Sequence, residues 1–284
     1  MNMKFALAAG VCAAALAGFS DVSSANVVGY MGNQTPSTGN KMIAGTFLTV
    51  GQEGTFKLSD IKGTEPDATG TLTLTLLGPA GVAATVTQAE ADANPALAPF
   101  VGKAKRFYWW DCDWVEAGWY DGDGEVAWPA EAIVFNAGDS FWTLGYGEGF
   151  NVAGQVSKSD VTITTPATGN KAVGNPFPCG VKLSSLYGTE PDATGTLTLT
   201  VLGPAGVATT FTQAEADANP ALAPFVGKAK RFYWWDCDWV EAGWYDGDGE
   251  VAWPAESIEL PAGEGLWTLG YGEGFVIPAP AAVK

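Results

Sequence analysis

The sequence contains no histidine, although it is 284 residues long. This absence excludes Ser-His-Asp and Cys-His catalysis, histidine-ligated zinc, and a histidine proton shuttle working near neutral pH. Because the argument needs no motif, it is the firmest exclusion that the sequence offers.

Positive charge is also scarce. Lysine and arginine number 14 against 31 aspartate and glutamate residues, which gives a formal net charge of −17. A chain this acidic is repelled by nucleic acids and by anionic membranes, because both carry negative charge. We therefore expect no nucleic-acid partner.

Long apolar runs are confined to the beginning of the chain. Lys4 precedes an apolar run from Phe5 to Phe19, and small residues follow at Ser23, Ser24 and Ala25. This order predicts a secretory signal peptide over residues 1–25 and a secreted, extracellular or cell-surface location. No later stretch reaches the roughly 18 apolar residues of a membrane span, so we expect none.

Cysteine is too sparse for a disulfide scaffold. After cleavage of the signal peptide, Cys112, Cys179 and Cys237 remain. An odd number leaves at least one thiol unpaired or bonded to another molecule, and the sequence leaves open whether Cys179 pairs between molecules.

An internal repeat dominates the remainder. Residues 104–131, which read AKRFYWWDCDWVEAGWYDGDGEVAWPAE, recur without change at 229–256. Residues 26–31 (NVVGYM) resemble 151–156 (NVAGQV), at the same offset of 125. We therefore predict a first unit at 26–150, a second unit at 151–275 and a C-terminal tail at 276–284. Units of this length match the commonest domain size and exceed the repeats of a solenoid.

The pattern within each unit is that of an all-β protein. Thr and Leu alternate from 71 to 77, and the segments 106–114, 140–146, 161–165 and 266–271 are rich in β-branched and aromatic residues. Thr87 and Glu90 form a capping box that predicts a short helix, which ends at Asn94-Pro95. We predict two tandem antiparallel β-sandwich or barrel-like domains with a short helix in each.

Three motifs resemble those of a group of uncharacterised secreted β-repeat proteins from Planctomycetes–Verrucomicrobia–Lentisphaerae bacteria. They are ANVVGY at Ala25–Tyr30, GNPFP at Gly174–Pro178 and GEGLW at Gly263–Trp267. The resemblance implies secretion and a β fold, and it implies no chemistry. The first unit departs from the pattern, with AGTF at 44–47 and GDSF at 138–141.

The repeated aromatic segment contains the candidate ligand-binding residues. On a regular strand, Tyr108, Trp110, Cys112 and Trp114 share one face, which is wholly apolar and is expected to face the core. The opposite face would then present a tryptophan ring to the flat side of a sugar and carboxylates to its hydroxyl groups. The candidate residues are Trp109, Asp111, Asp113 and Trp119, with their copies Trp234, Asp236, Asp238 and Trp244. The alternative is that Trp109 only packs, under a neighbouring loop or on the second domain.

The acidic turn in the same segment is a candidate calcium site, because carboxylate oxygens are the ligands that calcium prefers. Its residues are Asp121, Asp123 and Glu125, with copies Asp246, Asp248 and Glu250. The complete EF-hand pattern is missing, and a solvated acidic hairpin is the alternative. We expect no other cofactor.

Three functions remain open from the sequence. The first is a non-enzymatic structural or adhesive protein of the cell surface or extracellular matrix, which would self-associate. The second is a tandem carbohydrate-binding module for an extracellular polysaccharide. The third is a carboxylate-based glycoside hydrolase, which needs two suitably spaced carboxylates; no pair in the sequence stands out.

Overall fold

The computed structural model describes residues 28–284, so the predicted signal peptide lies outside the described residues. The described chain is mostly β-strand and forms two similar halves, which confirms the predicted all-β fold.

The first half contains ten strands and one α-helix. They are β1 (Val28–Gln34), β2 (Lys41–Ala44), β3 (Thr55–Lys57), β4 (Ile61–Gly63), β5 (Ala68–Leu76), α1 (Gln88–Ala93), β6 (Arg106–Cys112), β7 (Val115–Tyr120), β8 (Val134–Asn136), β9 (Ser140–Leu144) and β10 (Gly149–Gln155).

The second half repeats this order. Its elements are β11 (Val161–Thr164), β12 (Asn170–Gly174), β13 (Val181–Lys182), β14 (Tyr187–Gly188), β15 (Ala193–Thr200), α2 (Gln213–Ala218), β16 (Arg231–Cys237), β17 (Val240–Tyr245), β18 (Glu259–Leu260), β19 (Gly265–Leu269) and β20 (Gly274–Ile277).

Each half is built from three antiparallel sheets. In the first half the strand orders are β2-β9-β5-β6-β7, β1-β10-β4 and β3-β8. The corresponding orders in the second half are β12-β19-β15-β16-β17, β11-β20-β14 and β13-β18. The leucines of the Thr/Leu strand β5 point into the core, where Leu72 and Leu74 are fully buried. Each half thus encloses its own hydrophobic cluster between its sheets.

The predicted helices form where the capping boxes place them. The Thr87 side chain accepts a hydrogen bond from the Glu90 N–H at 3.2 Å, and Glu90 Oε2 accepts one from the Thr87 N–H at 2.8 Å. These bonds satisfy two N–H groups at the start of α1. The helix ends at Asn94, and a 3₁₀ turn follows over Pro95–Phe100.

Strand pairing moves the predicted boundary between the units. Residues 149–155 form β10, which pairs with β1 and β4 of the first half. A boundary after Phe150 would cut this strand, so we define the first unit as residues 28–155 and the second as 161–284. The resemblance between 26–31 and 151–156 misled the prediction, because residues 28–31 and 152–155 are antiparallel partners within one sheet. The structural equivalent of β1 is β11.

The predicted tail also belongs to the second unit. Strand β20 extends to Ile277, whose side chain is fully buried, and Ala279 packs in the same core. The Ala279 N–H donates to Asp160 Oδ1 at 2.9 Å, and Lys284 Nζ lies 3.6 Å from the same carboxylate. Residues 276–284 are therefore part of the folded second unit and not a separate tail.

The two units contact each other through reciprocal bonds. The Asn40 N–H donates to the Pro204 carbonyl at 3.0 Å, and the equivalent Asn170 N–H donates to the Pro79 carbonyl at 2.8 Å. A second pair of bonds joins Ala44 to Gly263 and Gly174 to Gly138, both at 2.9 Å. Such reciprocity is the mark of a two-fold, self-complementary interface, here within one chain.

The interface brings together the same edges of the two large sheets. Strands β2 and β9 of the first unit lie against β12 and β19 of the second. Because β7 and β17 are the last strands at the opposite edges, they lie farthest from this contact. None of the helices in residues 28–284 has both the length and the apolar character that crossing a bilayer requires.

Candidate functional site

The tryptophans predicted to form a ligand-binding face are buried in the core. Trp109 is 5% exposed and Trp119 is 3% exposed, and their rings meet edge to face at 5.2 Å. Trp119 Nε1 donates to the Ile61 carbonyl at 2.8 Å. Neither ring presents a face to solvent, so the assignment of these residues to an open binding face is wrong.

The copies in the second unit are buried in the same way. Trp234 and Trp244 have 6% and 2% of their surface exposed, and their rings are 5.2 Å apart. Trp244 Nε1 donates to the Leu186 carbonyl at 2.8 Å. These four tryptophans therefore pack in the core of their own unit, and not under a loop or on the other domain.

The two faces of β6 are exchanged relative to the prediction. Phe107 is fully buried beside Trp109, whereas Tyr108 and Cys112 are only half-buried on the opposite face. Alternation holds from Phe107 to Trp109, and because aromatic residues lie on both faces it could not tell which face is buried. The pairing of β6 with β7 becomes irregular only beyond Trp110. Asp111 and Asp113 lie past the core, at the end of the hairpin, and do not determine which face is buried.

The expected burial of the repeated cysteines is wrong for the same reason. Cys112 and Cys237 are half-buried at the ends of β6 and β16, and neither forms a disulfide. They occupy the outer side of the sheet rather than the core.

The exposed aromatic residue of the segment is Trp114. It forms, with Asp113, the two-residue turn between β6 and β7, and 64% of its surface is exposed. Its copy Trp239 is also 64% exposed, in the turn between β16 and β17. We call each of these turns, together with the buried tryptophan beneath it (Trp110 or Trp235), a hairpin tip.

A buried tryptophan supports each tip. The Trp110 ring lies under Trp114 with centroids 5.2 Å apart and planes at 65°, an edge-to-face arrangement. Trp110 itself lies against Gly70 and Gly124, where an added Cβ would come within 2.8 Å of the ring. Both glycines have positive φ, so no other residue fits there without strain. The second tip repeats this arrangement, with Trp235 and Trp239 at 5.1 Å.

The predicted carboxylates lie at the same end of the hairpin. Asp113 is exposed beside Trp114, and Asp111 is half-buried in β6 opposite Ala68. Glu65 and Asp67 precede Ala68 in the neighbouring turn, and both are exposed. Asp236 and Asp238 occupy the equivalent positions of the second tip. Each tip is thus an indole ring in an acidic surrounding.

The acidic turn beyond β7 is held together by its own hydrogen bonds. Asp121 Oδ1 accepts from the Val126 N–H at 3.1 Å, and Asp121 Oδ2 lies 3.5 Å from Lys103 Nζ. The contact with Asp121, and then the N–H of Glu125, lower the pKa of Asp123 below its usual value. Glu125 is exposed. The Asp123 carboxylate therefore stays ionised to lower pH than a free aspartate would.

The second acidic turn matches the first. Asp246 accepts from the Val251 N–H at 3.1 Å and lies 3.7 Å from Lys228. The N–H of Glu250, and then Asp246, lower the pKa of Asp248. Within residues 28–284, no three acidic or thiol side chains come together as a metal-binding group. Calcium binding at these turns stays a prediction.

Two depressions accompany these features. One of about 300 Å³ borders the acidic turn and is lined by Lys103, Arg106, Tyr108, Asp121 and Trp128. The other, of about 620 Å³, lies between the units along the connecting residues 156–160. Polar and oppositely charged side chains line the second depression, including Glu53, Lys158 and Lys171.

Sequence reasoning missed Trp114 as the accessible ring. The signal in the sequence was the residue before it. Asp113 is one of the residue types that favour a two-residue hairpin turn, which would have placed Trp114 in the turn and not on a strand. Comparisons of the chain with protein-family models, with curated proteins and with solved structures find no match. Its function therefore has to be inferred from its own residues.

Proposed function

We propose that this protein is a secreted, non-enzymatic structural or adhesive protein of the cell surface or extracellular matrix, and that its contacts are made by the two hairpin tips. The observation that carries the proposal is the exposure of Trp114 and Trp239, each 64% accessible on a supported turn. Tryptophan is among the residues that contribute most to binding when a partner covers them.

Rigidity supports this role. Because Trp110 lies fixed between the glycines and contacts Trp114, the exposed ring has few alternative positions. A ring that is already positioned loses little conformational entropy when a partner binds.

The chemistry of the chain favours binding over catalysis. The sequence has no histidine, and the Asp121 carboxylate is engaged with Val126 and Lys103. The glycoside hydrolase alternative gains no support from these contacts. A tandem carbohydrate-binding module is the second candidate, and the specific observation in its favour is the exposed Asp113 beside Trp114 in the same turn.

The test uses the chain from Asn26 onward and the insoluble envelope material of the producing organism. Co-sedimentation is measured for the unchanged protein and for the double variant Trp114→Ala/Trp239→Ala. We expect the unchanged protein to sediment with the envelope and the double variant to remain in solution. Sedimentation velocity on the protein alone shows whether the tips also mediate self-association.

A matched control is available in the same chain. Tyr146 and Tyr271 are repeated aromatic residues in other turns and are 62% and 61% exposed. The double variant Tyr146→Ala/Tyr271→Ala should sediment like the unchanged protein. If the tryptophan variant adheres and self-associates as well as this control does, the hairpin tips are not the contact surface.

A further inference from the structure

The hairpin tips have a chemistry that selects their ligand. Each tip presents an exposed indole with an aspartate next to it in the turn and further carboxylates close by. An indole ring offers a flat, apolar face. A carboxylate accepts hydrogen bonds from hydroxyl groups, and these bonds are shorter and stronger than hydrogen bonds between two neutral groups. A pyranose ring offers the complementary pattern, with C–H groups on its face and hydroxyl groups at its rim.

Charge narrows the class of partner. Asp111 and Asp113 lie in the first hairpin, Glu65 and Asp67 lie in the turn before Ala68, which pairs with Asp111, and the whole chain carries a formal charge of −17. An anionic polymer would be repelled, and so would the tip of a second copy of the chain. An uncharged polymer of sugar rings meets no such repulsion.

The hairpin is also poorly suited to a peptide that adds a strand. The outer edge of β7 is already occupied near its end, where the Trp128 N–H donates to the Trp119 carbonyl at 2.8 Å. Residues 120 and 127 form a further bridge along the same edge. Only the first half of β7 retains an open edge, which is too short for the usual strand-addition mode.

The two tips belong to strands that are far from the contact between the units. Strands β2 and β12 lie at the contact between the units, whereas the tips belong to the strands at the far edges of the two large sheets. Four inter-strand steps separate β7 from β2, a distance of roughly 19 Å at about 4.8 Å per step. The same distance applies to β17 in the second unit. Both tips therefore belong to the strands farthest from the contact between the units.

We propose that each hairpin tip binds a neutral polysaccharide, with Trp114 and Trp239 as the ring-stacking residues, and that the protein cross-links two polysaccharide chains. This inference rests on the proposed function, because it names the partner of the same tips. Two equivalent sites on the far strands of different units can each engage a separate chain. The molecule thus acts as a bivalent linker in a glycan matrix.

The binding experiment titrates the full mature chain with soluble polysaccharides and follows tryptophan fluorescence and heat. The probes are neutral (a mixed-linkage β-glucan, a galactomannan and an arabinoxylan), anionic (alginate) and cationic (chitosan). We expect saturable binding of at least one neutral polymer, little change in 0.5 M salt, and no binding of alginate. The Trp114→Ala/Trp239→Ala variant should bind at least tenfold more weakly, and the Tyr146→Ala/Tyr271→Ala variant should bind normally.

The cross-linking experiment compares light scattering at increasing protein-to-polymer ratios. The unchanged protein should raise scattering to a maximum and lower it again when excess protein saturates each chain. The single variants Trp114→Ala and Trp239→Ala should still bind and should fail to raise scattering. Single variants that cross-link as well as the unchanged protein would overturn the assignment of one chain to each tip.

Three binding outcomes overturn the glycan assignment. They are a flat response to every neutral polymer, binding that survives in the double tryptophan variant, and binding of chitosan alone that salt abolishes. If the envelope adhesion depends on the tryptophans while no neutral polymer binds, the proposed adhesive function stands and this inference fails. If adhesion is also independent of the tryptophans, both fail.

Discussion

The two units are nearly identical over half their length, yet they secure one loop by different means. In the second unit, the fully buried Asn175 donates from Nδ2 to the carbonyls of Cys179, Leu260 and Pro261, at 2.7 to 3.1 Å. Its Oδ1 also accepts from the Phe177 N–H at 3.0 Å. One amide side chain thus holds the loop after β12.

The first unit has Gly45 at the equivalent position and a loop five residues longer. There the turn after β2 reaches the last strand of the unit. Leu48 and Gln155 exchange backbone bonds at 2.9 Å, and the Gln155 side chain bonds the Gly51 N–H and the Gln52 carbonyl. The comparison teaches that a buried amide and a longer, strand-paired loop are interchangeable solutions to the same problem of unsatisfied backbone groups.

The largest losses of stability are expected from replacing a core tryptophan, and they should be equal in the two units. We expect Trp109→Ala and Trp234→Ala each to lower the free energy of unfolding of its unit by about 3–5 kcal/mol, because each opens a large cavity in the same surroundings. Urea denaturation, monitored by fluorescence and circular dichroism, measures both. Unequal losses would show that the identical segments are packed differently.

The second largest expected loss of stability should differ between the two units. Asn175→Ala removes the amide that bonds three loop carbonyls and the Phe177 N–H, among them the buried Leu260 carbonyl, and we expect a loss of about 3 kcal/mol in the stability of the second unit. Gln155→Ala should cost the first unit only about 1–2 kcal/mol, because its loop keeps the backbone bonds of Leu48. Denaturation midpoints of the two variants test this order, and a larger loss for Gln155→Ala would contradict it.

Smaller changes in stability are expected when Asp139 and Glu264 are replaced by their neutral amides, and the two changes should have opposite signs. These two residues occupy equivalent positions at the contact between the units. Asp139 Oδ2 accepts from the Asn136 N–H at 2.8 Å, and Asp139 Oδ1 lies 3.3 Å from Lys171. Asp139→Asn should therefore destabilise the protein by about 1 kcal/mol. Burial raises the pKa of Glu264, against the opposing charges of Lys41 and Lys230.

Because the pKa of Glu264 is higher in the folded chain than in the unfolded chain, its ionised form costs stability. That cost is present above the folded pKa and disappears as the pH falls through the folded pKa toward the unfolded value. Glu264→Gln should stabilise the protein at pH 7 and have no effect near pH 4. Thermal melts of the variant and of the unchanged protein across this range give the test, and a destabilised Gln variant at pH 7 would reverse the sign.

The smallest effect concerns the acidic turns, which are alike in both units. If calcium binds at these turns, the melting temperature of the mature protein should be lower in EDTA than in millimolar calcium, because an ion that binds only the folded chain stabilises it. Differential scanning calorimetry measures the melting temperature at fixed protein concentration. An unchanged melting temperature would rule the site out. A melting temperature that rises with calcium would assign an ion to Asp121, Asp123 and Glu125 and to their copies.

Local patterns predicted most of the fold. The Thr/Leu alternation of β5 and the Thr87 capping box depend on neighbouring residues only, and both have the structure that they indicate. The faces of β6 could not be read in this way, because aromatic residues lie on both of them. Which ring is buried depends on contacts with Trp119, on the paired strand β7, and with Trp128 in the segment that follows, and the irregularity after Trp110 depends on the pairing with β7.

The reciprocal contact between the units has a consequence for copy number. Identical coding segments are prone to unequal recombination, which would yield chains with one unit or with three. A two-fold interface is complete when two units have met, so a third unit would find no complementary surface to cover its own. A lone unit would be in the same position until it met another. Even numbers of units therefore leave no such surface open, and the chain as it stands is the shortest that meets this condition.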